Sequence, residues 1–181
     1  MLRLKLTCGA AVLASCTAAL AVASPAAADT YKVSGKQIAI DAEAGTFKMK
    51  GGLIGDWAIT SFEEIAKSPY YHAKGTETFK GCLDRRRDRS CKGDPSGTLS
   101  FTMEYWALFG SADPASLVWG ACFHPVVSGT GAFAGARGAI QMVDTPTSGG
   151  IATGYIGNVT LKDGSARRSA RAARSTCGSL R

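Results

Sequence analysis

Histidine is almost missing from this 181-residue chain, which carries only His72 and His124. No Ser-His-Asp order, Gly-x-Ser-x-Gly elbow or glycine-rich phosphate loop is present, which removes the common hydrolase and nucleotide-binding readings. The cysteines form no C-x-x-C pair and neither histidine stands at finger spacing, so no metal site is expected. Charged residues make up 19% of the chain, and heptads, internal repeats and a second long apolar run are all lacking. Coiled coils, repeat arrays and polytopic helical membrane proteins are thereby excluded.

What is present begins with an export signal. Arg3 and Lys5 precede the uncharged, largely apolar stretch Leu6–Ala23, and Ala26-Ala27-Ala28 offers a small-residue cleavage site. Residues 1–28 therefore read as a signal peptide rather than a membrane span, and the mature protein is expected to be secreted and extracellular. Leu13-Ala14-Ser15-Cys16 also has the form of a lipobox, so lipid anchoring through Cys16 is the alternative; the chain stays apolar beyond Cys16, which favours cleavage after Ala28.

The formal charge of +7 misleads. Arg3 and Lys5 leave with the leader, and five arginines sit in the acid-free stretch 165–181, a basic low-complexity tail expected to be disordered. Across the remaining domain, 29–164, the chain's 14 acids meet an equal number of bases. A neutral body with an Arg/Ala/Ser tail lacking aromatic platforms argues against a nucleic-acid partner.

Cys82 and Cys91 flank a charged segment between two strand-like runs, and a disulfide closing that loop is the simplest pairing in an exported protein. The partners of Cys122 and Cys177 stay open; Cys122, beside Phe123, reads as a buried small side chain. The loop's Asp84, Asp88 and Asp94 invite a calcium reading, but three arginines fill the places where ligands would stand, so a solvated loop is expected.

The mature chain reads as seven or eight strands joined by short Gly/Pro turns. Leu99, Phe101, Met103, Tyr105, Ala107 and Phe109 alternate with Thr98, Ser100, Thr102, Glu104 and Trp106, a period of two that no helical stripe reproduces. Further strands are expected over 30–40, 45–50, 53–65 (bulging near Glu63-Glu64), 70–82, 117–127, 139–144 and 151–161. Such an antiparallel meander hides its edges by closing into a barrel; a two-sheet sandwich is the alternative. Asn158-Val159-Thr160 matches a glycosylation sequon, which the bacterial style of the leader makes irrelevant.

Between two of these strands lies Gly129-Thr130-Gly131-Ala132-Phe133-Ala134-Gly135-Ala136-Arg137-Gly138. Glycines open backbone angles closed to other residues, and Phe133 can fold back as an apolar plug. The run resembles the G-T-G-x-F-x-x-A-R-G signature of dirigent proteins and allene oxide cyclases. The resemblance implies a small all-β barrel, closed and antiparallel, enclosing an apolar small molecule without a cofactor, with Gly129, Gly131, Phe133, Arg137 and Gly138 as structural members of a corner. By analogy it also implies a homo-oligomer. The catalytic and pocket residues of those families find no match at positions here.

Glu77 and Glu104 are the candidate catalytic acids, each mid-strand among small hydroxyl residues. Inside a barrel a carboxyl group loses solvation and becomes suited to general acid–base work; on the outside it is an ordinary solvated group. Alternation alone leaves the inward face undecided. Trp57, Tyr105, Trp106 and Trp119 are candidates for an aromatic ligand wall, with core packing as the alternative. His124 and His72 are candidate proton donors, but a lone histidine near a strand end is expected at the surface or in a cap. Three functions remain: a secreted barrel that binds an apolar small molecule, a cyclase or isomerase like the families it resembles, and a structural or interaction protein of the cell envelope.

Overall fold

The computed structural model describes residues 28–113 and 116–162. The leader with Cys8 and Cys16, Pro114, and the basic tail with Cys177 lie outside the described residues. Eight strands follow in order: β1 Asp29–Asp41, β2 Thr46–Gly51, β3 Leu53–Ala66, β4 Tyr70–Leu83, β5 Ser96–Phe109, β6 Leu117–Gly129, β7 Arg137–Thr147 and β8 Gly150–Leu161. Each pairs antiparallel with the next, and β1 returns to pair with β8 from Asp29↔Leu161 to Gln37↔Thr153. The sheet closes on itself, so no edge is left unpaired and the sandwich alternative falls. The register of β3 slips between Ile59 and Ser61 and again between Glu64 and Ala66, where a bulge was expected. The turn between the strands expected over 139–144 and 151–161 is tighter than those bounds, because Pro146 still pairs with Ile151 and Thr147 with Gly150.

Alternation sorts the side chains. Leu99, Phe101, Met103 and Ala107 of β5 are buried inside, while Trp106 between them is 41% exposed. The barrel has two unlike ends. At one, Leu53, Phe79, Leu83, Leu99, Val159 and Leu161 fill the interior as solid core. Phe133, carried on the 3-10 turn Gly131–Phe133, enters that core with no exposed surface. The turn needs its glycines: Gly131 takes φ 61°, and a Cβ on Gly138 would fall 2.1 Å from the Asn158 carbonyl oxygen. Arg137 opens β7 with an exposed side chain.

The Cys82–Cys91 disulfide closes the β4–β5 loop at this same end. The loop is not simply solvated. Asp84 and Asp94 are buried; the Asp84 carboxylate accepts the backbone N–H groups of Asp88 and Arg89, and Arg85 Nε donates to Asp94 Oδ1 at 3.2 Å. Asp84, Asp88 and Asp94 do converge, yet Arg85 and Arg86 supply the positive charge beside them. The segment folds on these internal ion pairs.

Candidate functional site

At the opposite end the interior is hollow. A cavity of about 1310 Å³ opens between the hairpin turns, lined by Phe47, Ile59, Tyr71, Met103, Tyr105 and Phe109 among others. Its volume exceeds the upper end of ordinary ligand sites, roughly 1,000 Å³. The apolar lining follows from the inward parity of β3, β4 and β5.

At the floor sits a buried acid–base pair. Glu77 lies opposite Phe101 on the β4–β5 ladder and faces inward with Phe79; it is 5% exposed. His124, 1% exposed, places Nε2 2.8 Å from Glu77 Oε2. Its Nδ1–H donates to the Ile140 carbonyl at 3.2 Å, which fixes the ring's orientation and commits that proton. The two atoms approach at ion-pair distance without an aligned hydrogen bond, leaving Glu77 Oε2 buried and able to accept one. Beneath the pair, Trp57 meets the His124 ring edge-on at 5.3 Å and stacks on Phe101 at 4.6 Å.

Higher on the wall a second polar group surrounds Asp144. Tyr105 donates its hydroxyl to Asp144 Oδ2 at 3.1 Å, and Thr153 donates to Oδ1 at 2.5 Å. A Cβ on Gly120 would lie 2.6 Å from the Tyr105 hydroxyl, so the bare glycine on β6 makes the contact with Asp144 feasible. Burial, then the Asp144 charge and its hydrogen bond, push the Tyr105 phenol well above its ordinary value. Burial, then the charges of Glu77 and Asp144, likewise hold the Cys122 thiol in its protonated form.

Of the two candidate acids, Glu77 is inside and Glu104 is not. Glu104 points out from β5, opposite Lys74, and bonds His72 Nε2 at 3.1 Å and Lys74 Nζ at 3.4 Å. Trp106 and Trp119 are also outside, 41% and 48% exposed, with the His72 ring stacked on Trp106 at 5.0 Å. Tyr105 lines the cavity, whereas Trp57 belongs to the core beneath it. The surface position expected for His124 is overturned. A signal for it existed: Cys122 was read as buried, and a residue two positions on shares its face. Asp144 was missed because its partners, Tyr105 and Thr153, come from two other strands.

No family model matches the chain, and neither a curated protein nor a solved structure shows significant similarity to it.

Proposed function

We propose that this protein is an exported, cofactor-free barrel that holds an apolar small molecule in its open cavity. The observation that carries the reading is the contrast between the two ends of one barrel: one packed solid by Phe133 and its neighbours, the other left hollow and lined by aromatic and aliphatic side chains. The dirigent and allene oxide cyclase resemblance of the glycine corner points the same way, as does the leader for export. Native mass spectrometry with 1-naphthylmethanol as the apolar probe tests the proposal. A one-to-one adduct is expected, weakened by Met103→Trp, which drives a large ring into the cavity. A protein that takes up no probe at saturating concentration sinks it.

The pair at the floor favours a second reading, an isomerase or cyclase. A buried carboxyl group 2.8 Å from an imidazole, both lining the cavity, is equipped to protonate a bound molecule at one atom and withdraw a proton from another. Glu77→Gln then abolishes a turnover that Glu104→Gln, on the outer wall, leaves intact. Equal turnover by the wild type and Glu77→Gln ends this reading.

A further inference from the structure

The charges inside the cavity are unequally compensated. Three carboxylates, Glu64, Glu77 and Asp144, and two lysines, Lys36 and Lys67, line it. Glu64 is met by Lys67 at 3.6 Å and Glu77 by His124 at 2.8 Å. Asp144 has no ion pair among the described residues; hydroxyl groups alone hold it. Two hydroxyl donors fix this carboxylate on the largely apolar cavity wall.

The aromatic surroundings have the matching property. Tyr105 contacts Tyr71 edge-on at 6.0 Å, and Tyr71 meets Phe109 at 6.0 Å, giving a three-ring wall that leads from the Asp144 level toward the mouth. Ring faces attract cations, and a desolvated carboxylate attracts them more strongly. A neutral apolar guest packed over Asp144 would strip it of water without itself supplying a counter-charge, which is costly. An organic cation satisfies both demands.

We propose that the cavity selects apolar molecules bearing a protonated amine, with Asp144 as counter-ion, positioned by Tyr105 and Thr153. The inference rests on the apolar-cavity reading above and adds the ligand's charge. It involves no covalent step.

Isothermal titration calorimetry at pH 7 with three probes of one skeleton decides it: 1-naphthylmethylamine, 1-naphthylmethanol and 1-naphthoate. The ammonium probe should bind about tenfold more tightly than the alcohol, and the carboxylate more weakly than either. Asp144→Asn, which keeps a hydrogen-bonding side chain of the same shape, should bring the amine-to-alcohol ratio to about one. The wild-type ratio needs no variant, so the test holds even where the substitution impairs folding. Equal affinity for amine and alcohol overturns the proposal while leaving the apolar cavity standing, and so does a preference that survives Asp144→Asn. Failure of all three probes to bind overturns both.

Discussion

Tyr155 shows how much one inward hydroxyl can hold. From β8 it reaches across the barrel, accepts the Leu53 backbone N–H at 2.8 Å, and lies 3.3 Å from the Lys50 and Leu53 carbonyl oxygens that flank the β2–β3 turn. Burial raises its pKa from 10.0 to about 12, outweighing the opposite pull of the Leu53 hydrogen bond. A phenol that keeps its proton longer when folded contributes stability that is fully present below pH 10 and lost as the pH climbs toward 12. Urea unfolding across that window should show a steeper alkaline decline for the wild type than for Tyr155→Phe; parallel curves would show that the hydroxyl does not couple folding to pH. At this scale the sequence was half legible. Glu77 shares its face with Phe79, and Glu104 shares its face with Trp106 rather than with Phe101 and Met103, so parity already separated the acids once the apolar face was taken as inward. The pairing of Glu77 with His124 was not legible, because those two residues lie on strands separated by β5 and meet only across the closed interior.

Among the elements, the glycine corner between β6 and β7 does the most to define the packed end. Thr130 N–H donates to the Thr98 carbonyl, and Thr98 N–H approaches Thr130 Oγ1 at 3.3 Å, which ties the corner to β5. Phe133 then packs 6.4 Å from Phe79 between ring centres. Phe133→Ala should cost about 3–5 kcal/mol in chemical denaturation, the range for emptying a fully buried aromatic site. A loss below 1 kcal/mol would mean that the corner collapses to fill the space and Phe133 is no plug. The corner and the strand order were readable from local signals, glycine clusters and period-two alternation. Strand lengths were less so, since Pro146 stays in the ladder and Ser96 and Gly97 extend β5 beyond its alternating run. Pairing across the barrel, rather than propensity, sets those ends.

Taken as a whole, the molecule separates two apolar surfaces. One lines the cavity. The other lies on the outer wall, where Trp106, Trp119, Phe123, Val143 and Ile156 are exposed on β5 to β8. The same wall also carries charge, with the Lys48–Asp56 ion pair linking β2 and β3 and Lys74 bound to Glu104. An envelope interaction role would use the outer surface; a ligand-binding role uses the inner one. Barrel closure was legible because a chain of short alternating strands must hide its edges. The hollow end was not, since cavity size depends on how inward side chains from eight strands meet. Nuclear Overhauser contacts from bound 1-naphthylmethanol discriminate the two surfaces most directly. The cavity account predicts contacts to the Ile59 and Met103 methyl groups and the Tyr105 ring. Contacts confined to Trp106, Trp119 and Phe123 would contradict it.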